Sequence, residues 1–142
     1  MVIISEKDRE IIKKEFASLT GLVKLVNFTR EIECQYCRET NSLVKELGEL
    51  SDKISTETYN FITDKEATIK YNVDKIPATV FASTNEDTGI RFYGIPSGYE
   101  FASMMETVKM ISNGESGLSQ KTRDFLAELK QPVHLQVFVT PT

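Results

Sequence analysis

Cysteine and histidine are scarce in this 142-residue chain: it has two of the first and one of the second. Cys34 and Cys37 stand close together, and His134 lies far along the chain. A zinc site takes about four ligands, so two thiols and one remote imidazole do not complete one within the chain. A single histidine without a nucleophile neighbourhood also gives no hydrolase triad. No apolar run approaches the roughly 20 residues of a membrane span, and Met1-Val2-Ile3-Ile4-Ser5 is too short an apolar start for a signal peptide. Basic residues do not dominate. Lys and Arg number 17 against 21 Asp and Glu, a net charge of −4, which argues against nucleic acid and supplies no attraction to an acidic membrane surface. The remaining composition, 40% hydrophobic and 27% charged, is that of one ordinary domain, and the expected location is cytoplasmic.

What is present is organised around Cys34-Gln35-Tyr36-Cys37. The run before it, 22–29, is expected to be a buried strand. After it, Thr40, Leu43, Val44, Leu47 and Leu50 recur at helical spacing and predict a helix from about Gln35 to Leu50. The pair thus lies where a strand hands over to a helix. Free N–H groups and the positive dipole end favour an anion there. A thiolate so placed can fall from about 8.5 to roughly 3.5–7.5 in pKa, and thiolate is the species that attacks disulfides. With Cys34 near the N-cap, Cys37 falls one turn further in on the same side, so that Cys34 attacks and the more shielded Cys37 resolves. Glu31 and Glu33 oppose the helix effect by raising a thiolate's pKa. Two other readings stay open: a zinc ion bridging two chains, and a structural disulfide. So short a loop gains little closure entropy, and a reducing compartment would not keep it oxidised.

Ser5 and Asp8 at capping-box spacing predict a first helix, with Ile11, Ile12, Phe16 and Leu19 as its apolar stripe and Thr20-Gly21 as its end. Asn27 interrupts the following strand as either a buried polar residue near the site or a solvated one. Residues 54–61, rich in β-branched and aromatic side chains, read as a strand. Thr63-Asp64 caps a short helix over 65–71. Pro77 cannot donate to a ladder and stands at the start of an apolar strand ending at Phe81. Residues 85–89 read as a hairpin turn, 90–93 as its partner strand. Phe101, Met104, Met105, Val108 and Ile111 mark a helix with both methionines in the core, closed by Asn113-Gly114. The order α-β-α-β-α-β-β-α predicts an α/β fold, a mixed central sheet flanked by helices on both faces.

The chain resembles the thioredoxin superfamily, and within it the protein disulfide oxidoreductases of thermophilic archaea and bacteria, also called glutaredoxin-like proteins. The resemblance is carried by 23–37 with its CQYC motif, by 71–81 with Ile76-Pro77-Ala78-Thr79, and by 89–101 with Arg91-Phe92-Tyr93-Gly94 followed by Pro96, Gly98 and Glu100-Phe101. It implies a thioredoxin-like fold, Cys34 as nucleophile and Cys37 as resolving thiol. It further implies a cis-proline at Pro77 facing the disulfide, substrate pairing through the backbone of Ile76, and Gly94 lining the same groove. Gln35 and Tyr36 complete the expected substrate surface. No cofactor beyond the redox-active disulfide is implied; the implied partners are protein thiols and disulfides and a reductase donor. Thioredoxins carry Trp before the first cysteine and Gly-Pro between the two, whereas this chain has Glu33 and Gln35-Tyr36, which indicates a more glutaredoxin-like centre.

Residues 1–115 account for that unit. A further helix is expected from Ser119, with the stripe Thr122, Phe125, Leu126 and Leu129, and then a strand over 133–139. Val133, Leu135 and Phe138 repeat the spacing of Val23, Leu25 and Phe28. Residues 116–142 are therefore expected to be the linker helix and first strand of a second thioredoxin-like unit cut short at Pro141-Thr142. A strand without its own sheet needs a partner, which predicts self-association through it. The expected function is thiol–disulfide exchange with protein substrates. The alternative is a docking module similar to the N-terminal domain of the alkyl hydroperoxide reductase flavoprotein, whose first unit lacks the cysteine pair, with the chemistry in a missing second unit.

Overall fold

The structure is a computed structural model and describes residues 1–84 and 86–140. The elements are α1 (Glu6–Phe16), β1 (Val23–Thr29), α2 (Cys37–Glu49), β2 (Ile54–Asn60), α3 (Lys65–Lys70), β3 (Ala78–Ala82), β4 (Asp87–Tyr93), α4 (Tyr99–Asn113) and α5 (Gln120–Ala127). One sheet has the order β2-β1-β3-β4. β1 and β2 are parallel because α2 carries the chain back across the sheet between them. β3 runs antiparallel to both β1 and β4. This is the mixed sheet expected from the order of elements.

Alternation along β1 and β3 divides the core between two faces. Val23, Leu25 and Phe81 pack with Ile12 and Phe16 of α1, Leu43, Val44 and Leu47 of α2, and Met104, Met105 and Val108 of α4. Val26, Phe28, Ala78 and Val80 pack on the other face with Tyr71 and Val73, just beyond α3. Both methionines are core residues, and Asn27 is fully buried. Burying a Leu or Phe side chain stabilises by about 1.5–3 kcal/mol, so β1, buried on both faces, anchors the sheet.

Local chemistry sets the boundaries. Ser5 Oγ accepts from Asp8 N (3.2 Å) and donates to Asp8 Oδ2 (2.6 Å), which starts α1. Asp64 does not cap α3 with its side chain; its Oδ2 instead accepts from Asn60 N at 2.6 Å. The Thr20-Gly21 turn is tied to the end of α4: Gly21 N donates to Ser112 O (2.9 Å) and Ser112 Oγ donates to Gly21 O (2.7 Å). A Cβ on Gly21 would stand 2.6 Å from Ser112 O. Gly21→Ala is therefore expected to cost about 2 kcal/mol by forcing that joint apart, read as a lowered urea midpoint.

The β3–β4 turn closes with Ser83 N donating to Glu86 O at 2.9 Å. Of the turn expected over 85–89, Asn85 lies outside the described residues. β4 begins at Asp87, earlier than the expected 90, because Arg91 straps the strand's start: Nη1 donates to Asp87 Oδ1 (2.7 Å) and Nη2 to Tyr71 O (2.8 Å). The Arg91 guanidinium, helped by Gly89 N, holds the Asp87 carboxyl below its ordinary range. A folded-state pKa below the unfolded one adds stability above the unfolded value, lost as pH falls through the folded value. Asp87→Asn is expected to flatten the fall in melting temperature between about pH 5 and pH 2, measured by thermal scans of both proteins.

Beyond α5, which Ser119 caps through Thr122 N (3.2 Å), the described residues carry no regular secondary structure. The strand expected over 133–139 is not formed. A strand is stabilised by a ladder with a neighbour, and here Leu135 and Phe138 are 85% and 90% exposed.

Candidate active site

The antiparallel pairing of β3 with β1 and β4 brings the C-terminal ends of β1 and β4 together with the start of β3. The first turn of α2 sits over this edge: Thr29 Oγ1 donates to Cys37 O at 3.4 Å. On the other side, Gly94 N donates to Pro77 O at 2.9 Å. Cys34, Cys37, Pro77 and Gly94 are thus held by elements that meet at one end of the sheet.

Cys34 and Cys37 form a disulfide with a Cα–Cα distance of 5.5 Å. Cys34 is half-buried and Cys37 is 1% exposed, so the more exposed cysteine precedes the more shielded one. The helix starts later than the spacing predicted. Tyr36 is the N-cap, without a side-chain cap, and Cys37 is the first helical residue. In the turn ahead of it, Glu33 adopts a left-handed φ of 56°, a conformation uncommon for a non-glycine residue. The orphan N–H groups of α2 therefore surround Cys37 and the end of the turn that carries Cys34. One of the two acids expected to oppose a thiolate is paired: Arg30 Nη2 donates to Glu33 Oε2 at 2.7 Å.

Gln35 and Tyr36 are on the surface between the cysteines, with Gln35 Nε2 donating to Tyr36 Oη at 3.2 Å. The Ile76–Pro77 peptide is cis, and Gly94 has φ +86°. No atom lies within 4 Å of a Cβ built on Gly94, so backbone conformation, and not crowding, calls for glycine there. Ile76 is partly buried against the core beyond β3. The Lys75 ammonium sits 5.0 Å from the Tyr93 ring centre and 2.9 Å from Asp74 Oδ1. It holds the Asp74 carboxyl below its ordinary range, and the Asp74 carboxylate in turn holds the Lys75 ammonium above its own.

Several contributors were not legible from spacing. Thr29 and Thr79 are polar positions inside apolar runs, and Asn41 lies on a flank of α2. Asn27 Nδ2 donates to Asn41 Oδ1 at 3.2 Å, which also accepts from Thr58 Oγ1 at 3.0 Å. Among the described residues, no three His, Cys, Asp or Glu side chains gather to hold a metal ion, and no helix is long and apolar enough to cross a membrane.

No family model matches the chain. It is 29% identical over 101 residues to an NADH dehydrogenase of Bacillus subtilis and 30% identical over 104 residues to the alkyl hydroperoxide reductase AhpF of Staphylococcus epidermidis. These matches take in 71% and 73% of the chain but only 18% of the length of each relative. A protein disulfide oxidoreductase from Aeropyrum pernix superposes with a TM-score of 0.82 at 25% identity, covering 92% of this chain and 57% of that one. The N-terminal domain of alkyl hydroperoxide reductase AhpF from Enterococcus faecalis superposes with a TM-score of 0.76 at 28% identity, covering 86% of this chain and 59% of that one. These neighbours, together with thioredoxins, are thioredoxin-fold proteins, and this chain shares their fold.

Proposed function

We propose that this thioredoxin-fold chain is a thiol–disulfide oxidoreductase acting on protein disulfides through Cys34 and Cys37. The observation that carries the reading is the disulfide between a half-buried Cys34 and Cys37, which is 1% exposed and opens a helix. The Cys34 thiolate attacks a substrate disulfide, giving a mixed disulfide and one substrate thiolate. Cys37 then attacks Cys34 Sγ and displaces the second substrate thiolate, leaving Cys34–Cys37 oxidised and the substrate fully reduced. The reverse direction uses the same atoms, and direction follows the reduction potential. Gln35, Tyr36, the Ile76 backbone, Pro77 and Gly94 form the surface on which the substrate chain lies.

A reductase is the proposed donor and the cytoplasm the proposed location, since a dithiol must be regenerated in a reducing compartment. Residues 1–115 are the proposed redox unit and 116–142 the start of a second one. In support, Phe125 and Leu126 of α5 and Leu129 just after it are open to solvent, and the following apolar residues are exposed too. Self-association through this tail is the proposed way of covering it, and a monomer by light scattering with a protease-labile tail would count against it.

The likeness to alkyl hydroperoxide reductase AhpF supports a second reading, a docking module for a partner that carries the chemistry. Alkylation of the reduced protein across acid pH, followed by mass spectrometry, separates the two. The oxidoreductase reading expects Cys34 alone to react well below about pH 8.5, the ordinary thiol range. Two thiols that both react only near that value support the docking module.

A further inference from the structure

Ile11 belongs to the apolar stripe expected of α1, yet the helix buries only Ile12 and Phe16 and leaves Ile11 46% exposed. Ile11 lines a groove of about 570 Å³ between α1 and α4, with Ile3, Ile95, Pro96 and Phe101. Ile3 and Phe101 are themselves only partly buried against the core. Every charged residue lining this groove is acidic: Asp8, Glu15 and Glu106. Lys109 donates to Glu15 Oε2 at 2.8 Å and to Glu106 Oε1 at 2.9 Å. Three carboxylates against one ammonium leave the rim at a net −2. A contiguous apolar surface with a polar rim marks an interaction site.

The same chain carries an apolar segment that its own fold does not cover. Every residue from 113 to 139 is exposed. The side-chain bonds that brace α5 run to its own linker: Arg123 Nη2 donates to Glu115 Oε2 at 3.1 Å and Arg123 Nε to Leu118 O at 3.0 Å. α5 and the residues after it therefore stand away from the unit they belong to. In an extended run, alternation sets Val133, Leu135, Val137 and Val139 on one side. From 129 to 139 the only ionisable side chains are Lys130 and His134, with no acid among them. An apolar segment with a cationic start is complementary to an apolar groove with an acidic rim.

We propose that the 129–139 segment of one copy seats in the α1–α4 groove of a second copy, and that the exchange is reciprocal. The inference rests on the self-association reading above and names the surface that receives the tail. The apolar side chains fill the groove, and Lys130 faces the carboxylates of Asp8, Glu15 and Glu106. A two-fold exchange uses the same pair of patches on both copies and closes on itself. At roughly 60–120 Å² per buried Val or Leu side chain, four from each tail and the matching area of each groove come to about 1,000–1,900 Å². That is the size class of a specific interface.

Light scattering of the reduced full chain over a dilution series tests the association. The parent is expected to be a dimer that dissociates on dilution. Ile11→Glu in the groove and Val137→Glu in the tail are each expected to raise the dissociation constant about 100-fold or more, as for loss of a buried interface anchor. Mixing these two variants is expected to give back a weaker heterodimer, since one intact tail then meets one intact groove. Ala102→Arg, at an exposed position of α4 in the groove, carries the test should Ile11→Glu not fold. A parent that is monomeric at every concentration overturns self-association itself. A dimer that the groove variants leave as tight as the parent keeps the association and overturns the groove. A photo-crosslinking amino acid at Leu135, in unlabelled chain mixed with isotope-labelled chain, identifies the occupant. Crosslinks from the unlabelled tail to labelled α1 or α4 are expected. Crosslinks confined to one copy, meaning that the tail seats in its own groove, or crosslinks from tail to tail, overturn the exchange.

Discussion

Replacing Cys34 with serine is expected to lower catalysed reduction of a protein disulfide to the uncatalysed background, on the order of 10³-fold or more, as for loss of a reaction's nucleophile. Cys37→Ser is expected to stop the cycle at a different point. The half-buried Cys34 still attacks, but the first residue of α2 no longer supplies the second sulfur. The mixed disulfide therefore accumulates, visible as a covalent adduct by non-reducing mass spectrometry. The contrast matters more than either loss, because a purely structural disulfide loses stability equally with either cysteine and traps no substrate. Equal behaviour of the two variants, with no adduct, would remove the assigned division of labour.

The largest effect on stability is expected far from the disulfide, at Glu46. Its Oε1 accepts from Ile3 N at 2.7 Å, and its Oε2 accepts from Ile4 N at 3.1 Å and Arg9 Nη1 at 3.0 Å. The Glu46 side chain is 10% exposed and that of Arg9 18%. One carboxylate on α2 thus fastens the N-terminal segment and α1 to the core. Glu46→Ala leaves two backbone donors and part of a guanidinium without acceptors; Arg9 keeps Glu49 at 3.1 Å. Breaking a buried charged pair from one side costs about 3–5 kcal/mol, and the residual exposure and the Glu49 contact put the expected loss near about 3 kcal/mol. That corresponds to roughly 10 °C in melting temperature. Glu46→Gln, which keeps an acceptor, should lose about half as much. A Glu46→Ala loss under about 1 kcal/mol would show that the N-terminal segment is held by Ile4 and Ile12 packing alone.

The elements were legible because the periods were clean. Residues 22–29 and 78–81 are apolar runs, and they became the two central strands; the stripe from Leu43 to Leu50 became the inner face of α2. Where backbone conformation overrode pattern, the reading slipped. Helical spacing placed the start of α2 near Gln35, but the helix starts at Cys37, after a turn with a left-handed Glu33. The Asp87–Arg91 pair begins β4 early, and nothing in residue spacing announces a side-chain strap. Periodicity also could not say that residues 133–139 form no strand. In the site, the cysteines are visible as a motif, and Pro77 and Gly94 through resemblance. The buried hydroxyl of Thr79 is not legible at all, since a threonine inside an apolar strand looks like any β-branched residue.

Cys34 and Cys37 are expected to cycle between dithiol and disulfide. Equilibration of the protein across a series of glutathione redox buffers, with acid quench, alkylation and mass spectrometry, tests it most directly. The predicted result is one reversible two-electron transition in which both thiols disappear together, with the midpoint giving the potential at about 30 mV per tenfold change in the equilibrium constant. Two cysteines that instead form separate mixed disulfides with glutathione, and never close on one another, would contradict it.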